Sequence, residues 1–327
     1  MKSFDYLRVS RASAAVGAVA ARPQGSFVAG GTELLNLMKD EALAPDLVVD
    51  VNGLPLSEIA LRDGRLSIGA TARMGDVADH PVVRERFPVL AEALLASASP
   101  QIRNRASIGG NLMQRTRCWY YRDPGSPCNR RDPGSGCPAL DGQNRWHAVL
   151  GGSGHCIAVH PSDLAVALRA LDATVHILGP RGRRSLSLDD LYRLPGATPH
   201  RETALRHGEL ITGVELPITP LARSSRYLKL RDRASFEFAV VSVAAALTMR
   251  GRTVTGVRLA FGGIAPRPWH SPAAEEALRG RALTDRAVRE AGRALVRGAE
   301  PREHNAFKIE LVQRALADIL DDLGGRR

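Results

Sequence analysis

The chain has only four cysteines, Cys118, Cys128, Cys137 and Cys156, and they crowd into one 39-residue stretch. Two disulfides, a metal site and coincidence are the options for such a grouping. A chain of 327 residues with no export signature gains little from disulfide stapling, so a metal site is the sharper reading. Nine, eight and eighteen residues separate the successive cysteines. That pattern matches neither Cys-x-x-Cys zinc knuckles nor bacterial ferredoxin runs. Four thiolates around a [4Fe–4S]²⁺ core leave a site near −2, which nearby cations stabilise. Residues 101–147 carry eight arginines against three aspartates. Zinc also takes four thiolates, so residue chemistry leaves zinc and iron–sulfur both open. His147, His155 and His160 read as surroundings of the site rather than ligands.

Two glycine pairs form the next constellation. In Val28-Ala29-Gly30-Gly31-Thr32-Glu33 they sit between a strand and a helical pattern, where the backbone can approach a ligand and free N–H groups can hold a diphosphate. The spacing is not the Gly-x-Gly-x-x-Gly of a Rossmann turn. Ala106-Ser107-Ile108-Gly109-Gly110-Asn111-Leu112 repeats the device with a hydroxyl and an amide beside it. Two such turns in separate lobes suggest one dinucleotide gripped from both sides. Asp163, after His160-Pro161-Ser162, stands at a helix start, and Lys229 in Tyr227-Leu228-Lys229-Leu230 has a strand-like setting. No Ser/His/Asp set and no His-Glu-x-x-His occurs, so hydrolysis has no candidate residues.

The elements that must position these residues follow from periodicity. Strands are expected at 27–31, 46–50, 65–70, 174–178, 209–216, 238–249 and 253–261. Helices are expected after Thr32, at 89–96, 162–171, 272–279, 284–298 and 303–322. From Cys118 to Cys156 the chain is turns, with Asp-Pro-Gly-Ser at 123–126 and 132–135, and a loop of that length needs an explanation, of which an internal cross-link is one. The order implies an α+β protein with lobes at 1–56, 57–220 and 221–327 and an insertion at about 113–158. No apolar run is long enough to span a membrane, and Met1–Tyr6 lacks a signal core, so no export signal of the chain's own is expected. The charge of +11 comes with 5% aromatics and no nucleic-acid-binding signature, so the basic face suits protein partners or an anionic cofactor, not nucleic acid.

Taken together and in order, these motifs resemble the flavin subunit of the molybdenum hydroxylases. Val28–Glu33 looks like the family's first FAD loop and Ser107–Asn111 like its second. Pro161-Ser162-Asp163-Leu164, Glu209–Pro217 and Phe261-Gly262-Gly263-Ile264 also match. The resemblance implies a two-lobed PCMH/vanillyl-alcohol-oxidase-type FAD-binding domain, followed by a CO-dehydrogenase-flavoprotein-like C-terminal α+β domain. It implies FAD held by Val28, Ala29, Gly30, Gly31, Thr32, Glu33, Ser107, Gly110, Asn111 and Asp163, with Ile211 and Lys229 against the isoalloxazine. Most members pass from the second loop to the Ser-Asp-Leu helix in a few residues. The roughly 40 extra residues here resemble the [4Fe–4S] loop of the aldehyde oxidoreductase and 4-hydroxybenzoyl-CoA reductase subgroups, and Gln114–Arg122 is closer to the former. That implies a cluster on the four cysteines. The implied partners are a large molybdenum-cofactor subunit, a small [2Fe–2S] subunit and an external electron acceptor. The implied task is carrying electrons from aldehyde oxidation in the partner, in the periplasm by co-export with a signal-bearing partner or in the cytoplasm. A 4-hydroxybenzoyl-CoA reductase subunit, and a zinc-stapled nucleotide-binding module, are the alternatives.

Overall fold

The computed structural model describes residues 1–325 and arranges them around three sheets. Strands Asp5–Arg8, Leu47–Asp50 and Gly25–Val28 form a parallel sheet with Leu47–Asp50 in the middle. The central strand Leu-Val-Val-Asp is buried throughout, as a strand covered on both faces must be. Helix Ala12–Ala20 covers it with Ala15, Val16 and Val19, one to four residues apart on one helix face. Neither Asp5–Arg8 nor this helix stood out in the sequence. The strand is exposed along its length, and the helix is mostly alanine and valine, with little polar contrast to set its period.

The second sheet has five antiparallel strands, in the order Ile59–Arg62, Arg65–Gly69, Leu210–Pro217, Thr174–Gly179 and Gly182–Ser187. Thr174–Gly179 alternates half-buried and buried residues, the mark of a sheet with one dry face. That face shares one hydrophobic core with helices Pro88–Ala96 and Asp163–Ala170, which includes Leu90, Leu94, Leu164, Leu168, Val175 and Val214. The flanking strands Ile59–Arg62 and Gly182–Ser187 are edge strands, the second rich in arginine and serine, and their weak patterns hid them from periodicity.

Strands Ser225–Leu230, Val241–Arg250 and Thr253–Gly262 make the third sheet, its hairpin turned at Gly251 with φ +59°. The expected start at Phe238 is corrected, because ladder pairing begins only at Val241 and Phe238 stays exposed. Helices Pro272–Glu276, Asp285–Leu295 and Phe307–Leu323 complete the C-terminal region. Among the described residues no helix is long and apolar enough to cross a membrane.

Candidate functional site

Strand Gly25–Val28 delivers the first glycine turn to the face of the second lobe. A Cβ on Gly30 would lie 2.0 Å from the Arg105 carbonyl oxygen, so only glycine allows this approach. Gly31 takes φ +76°. The N–H groups of residues 29–33 find no backbone or side-chain acceptor among the described residues, leaving donors for a ligand. The second turn is held from behind: Ile108 N donates to Ala72 O (3.0 Å) and Gly109 N to Ala70 O (2.8 Å). Ser107 Oγ accepts from Gly110 N at 3.2 Å and caps helix Ile108–Leu112.

A belt the sequence did not reveal joins the two turns. Arg73 donates to Arg105 O (2.7 Å) and to Asn52 Oδ1 (2.8 Å), and Asn52 Nδ2 donates to Ala29 O (2.9 Å). Between the turns opens a cleft of about 430 Å³, lined by Val28–Glu33, Ser107, Gly109 and Gly110, with Val19, Phe27, Leu56 and Ile211 as its apolar floor. Ile211 and Lys229 therefore face different places. Ile211 lies in this cleft, while Lys229 is drawn away into an ion pair with Asp163.

That ion pair borders a second cavity of about 400 Å³. Asp163 is 5% exposed and fully engaged: Oδ1 accepts from Tyr227 (2.6 Å), and Oδ2 from Lys229 Nζ (2.8 Å) and Ser97 (3.0 Å). Asn111 links the two spaces without lining the first. Its Oδ1 accepts from Ser162 Oγ (2.5 Å) and Gln114 Nε2 (3.0 Å), and Ser162 in turn caps helix Asp163–Ala170. Ser162, Asp163 and Gly263 form one wall of the cavity, and Cys118, Trp119, Trp146 and His147 the other.

Behind Cys118 and His147 lies a third, small void, and all four cysteines line it. They form no disulfide. The loop that brings them together folds through its own polar groups. Asp123 accepts from Gly125 N (3.0 Å) and Ser126 Oγ (2.7 Å), closing the first Asp-Pro-Gly-Ser turn. Asn129 Oδ1 accepts from Gly134 N and Gly136 N, and those glycines sit at φ +93° and +110°. Arg131 fills the loop's centre and donates to the carbonyls of Tyr120 and Tyr121. Burial, and then the three other thiols, push Cys118 up to about 12, and burial also raises Cys137. His147 Nε2 is 3.2 Å from Cys118 Sγ, and Arg130 donates to Cys156 Sγ at 3.5 Å. Burial opposes the charge of Arg130, yet Glu202 and Cys156 raise its pKa above the ordinary value. Among the described residues no three His, Cys, Asp or Glu side chains gather closely enough to grip a single metal ion.

The arginines of the insertion are neutralised from outside it. Glu33, the last residue of the first turn, accepts from Arg115 N (3.0 Å) and Arg122 Nη2 (2.6 Å) and pairs with Arg117 (2.6 Å). Glu202 pairs with Arg115 and Arg130. The side chain of Glu33 thus faces the cysteine loop.

Known proteins bear on this arrangement directly. Residues 2–219 match the family described as the FAD binding domain in molybdopterin dehydrogenase, and residues 226–323 match the CO dehydrogenase flavoprotein C-terminal domain. The chain belongs to the FAD-binding subunits of the molybdenum hydroxylases. This flavin subunit is 49% identical to the aldehyde oxidoreductase FAD-binding subunit PaoB of Escherichia coli K12, over 98% of each chain. It is 27% identical to the carbon monoxide dehydrogenase medium chain of Hydrogenophaga pseudoflava, over 89% of this chain and 87% of that one. A solved structure of carbon monoxide dehydrogenase from that organism superposes with a TM-score of 0.78 at 26% identity, covering 99% of this chain and 98% of the other. Membership makes FAD the subunit's cofactor and oxidoreduction the business of its complex. The meeting of the two glycine turns at one cleft is the feature that fits them to FAD, whose diphosphate needs N–H donors that a Cβ would bury.

Proposed function

We propose that this chain is the FAD- and [4Fe–4S]-binding electron-transfer subunit of a heteromeric molybdenum-dependent aldehyde oxidoreductase. Electrons from aldehyde oxidation in a molybdenum-cofactor large subunit reach it through a [2Fe–2S] small subunit and leave to an external acceptor. The observation that carries this reading is adjacency. The void lined by all four cysteines shares Cys118 and His147 with the cavity that Asp163 borders. The 49% identity to an aldehyde oxidoreductase subunit supports the aldehyde as substrate class.

FAD would lie with its diphosphate against the open N–H groups of residues 29–33 and against Ser107 and Gly110. Its adenine side would rest on the apolar floor around Ile211, and its ring in the cavity walled by Asp163. Asn111 and Ser162 hold the passage between. Bound FAD exchanges two electrons and the cluster one, which is the redox chemistry the subunit needs from them. The residues of this chain bind, orient and shield. Asp163, pinned by Lys229, Tyr227 and Ser97, keeps a fixed acceptor at the ring cavity.

A polynuclear cluster is preferred to zinc on the four cysteines. Zinc also takes four thiolates, and it is the insertion's resemblance to an iron–sulfur loop that favours the cluster. A cluster holds its thiolates apart around an inorganic core, and Arg130 and His147 provide the donors that stabilise its negative charge. The compartment follows the partner: the periplasm where a partner carries an export signal, the cytoplasm where none does.

Purification with its partner subunits, metal analysis and a visible spectrum before and after an aromatic aldehyde test the reading. Iron in excess of what the [2Fe–2S] subunit holds, a broad band near 400 nm and flavin bleaching on aldehyde addition are expected. Zinc in place of that excess iron would overturn the cluster. A flavin that ignores aldehydes but is reduced or reoxidised by an aromatic acyl-CoA would move the subunit to the 4-hydroxybenzoyl-CoA reductase type.

A further inference from the structure

Lys308, in the first turn of helix Phe307–Leu323, is 0% exposed. Its Nζ donates to Gly263 O at 2.7 Å and His147 O at 3.0 Å, and among the described residues it makes no ion pair. Arg145 and Asp232 are the charged groups that reach it, and they pair with each other at 3.0 Å, so neither acts as its counter-ion. A buried ammonium satisfied only by carbonyls is costly, because desolvation is not offset by an opposite charge. Burial, and then Arg145, hold its pKa down at about 7.

The position of its two acceptors gives that cation a use. Gly263 belongs to the wall of the ring cavity, and His147 belongs to the walls of both that cavity and the thiol void. The ammonium sits one peptide group behind both. An electron added to a group in either space adds negative charge beside a cation in a dry setting, where Coulomb attraction is strong.

We propose that Lys308 is an electrostatic positioning residue that stabilises the reduced flavin and fixes, through the His147 and Gly263 carbonyls, its setting relative to the cysteine loop. This rests on the reading of the Asp163 cavity as the flavin-ring site. No mechanistic role falls to Lys308 by sequence, since a helix lysine is ordinarily solvated.

The test is a spectroelectrochemical titration of the flavin at pH 6, where Lys308 carries its charge, in the full chain with its assembled subunits. Lys308→Gln keeps a donor for the carbonyls and removes the charge. It is expected to weaken flavin reduction at least tenfold, about 30 mV more negative for a two-electron couple. Should that variant fail to accumulate, Lys308→Met carries the same expectation. Asn305→Leu removes a neutral donor to the same His147 carbonyl and is expected to leave the potential unchanged. A wild-type potential in the Lys308 variants, or an equal shift in Asn305→Leu, overturns the role of the charge. An Asp163→Asn subunit that keeps the wild-type flavin spectrum and potential would sink the cavity reading itself, a different and separately visible failure.

Discussion

A buried carboxylate with three donors is stable only while its cation stays. Asp163 and Lys229 have side chains 6% and 4% exposed, and their pair is completed by Tyr227, Ser97 and the Ala96 carbonyl. Lys229→Met strands the carboxylate and is expected to destabilise the subunit by about 3–5 kcal/mol, read by urea unfolding. Adding Asp163→Asn should recover part of that loss, since both charges are then gone. If the double variant is as unstable as the sum of the singles, the pair is not what holds the two residues there. His160 makes the opposite kind of statement. It packs tilted against Tyr192 at 4.3 Å, half-buried and touching cavities on both sides, and burial followed by Arg130 holds it down at about 3. The folded form keeps the ring neutral while the unfolded chain protonates near 6.5. Stability is therefore present above pH 6.5 and lost as pH falls toward 3, by about 1.4 kcal/mol per unit. In His160→Phe the urea midpoint should fall less between pH 6 and pH 4 than in wild type. Parallel falls would assign the acid limb elsewhere.

At the scale of elements, the cysteine loop is a body built by its own turns and then clamped by carboxylates from its neighbours. Cys128→Ser is expected to lower iron content and loosen the loop while much of the FAD remains, because the glycine turns meet through Arg73 and Asn52 rather than through the loop. Iron analysis and flavin content on the same preparation check this, and full iron occupancy would refute the ligand assignment. The same distinction explains what could be read in advance. Turn chemistry is local, so the glycine pairs and the Asp-Pro-Gly-Ser turns were legible as residue types at fixed spacing, whereas the cap expected of Asp163 belongs to Ser162. The clamps were not. Glu33 reaches Arg122 across 89 residues, and Arg73 reaches Asn52 across 21, and no periodicity encodes such pairings. Glu33 lies in the glycine loop that lines the cleft, and the fold turns its carboxylate toward the arginines. Asp5–Arg8 and Gly182–Ser187 escaped for a related reason, since an exposed edge strand has no buried face to impose alternation.

At the scale of the whole molecule, the cleft proposed for the flavin opens where the two glycine turns meet, and Gly30 makes the tightest approach between them. The N-terminal parallel sheet has only a small core, Ala15, Val16, Val19, Leu47 and Val49 among its members, which it shares with Leu210 of the five-stranded sheet, so its placement depends on what it touches. A side chain at Gly30 would meet the Arg105 carbonyl and the Ala106 Cα, which are backbone and cannot swing aside. At Gly110 the obstacle is only the Ser107 hydroxyl at 2.9 Å. Gly30→Val must therefore push the lobes apart, at about 1–3 kcal/mol, whereas Gly110→Ala needs a small hydroxyl rotation. If that strain is relieved by opening the cleft, FAD binding weakens by roughly tenfold to a hundredfold, and thermal stability falls with it. Flavin-to-protein ratio after extensive dialysis, compared across wild type, Gly110→Ala and Gly30→Val, should descend in that order. Gly17→Ala, with nothing within 4 Å of the new methyl group in helix Ala12–Ala20, should retain flavin fully and melt no lower than wild type. A Gly30→Val subunit that keeps its flavin through dialysis would mean that the first turn only borders the site and that the second lobe holds the cofactor alone.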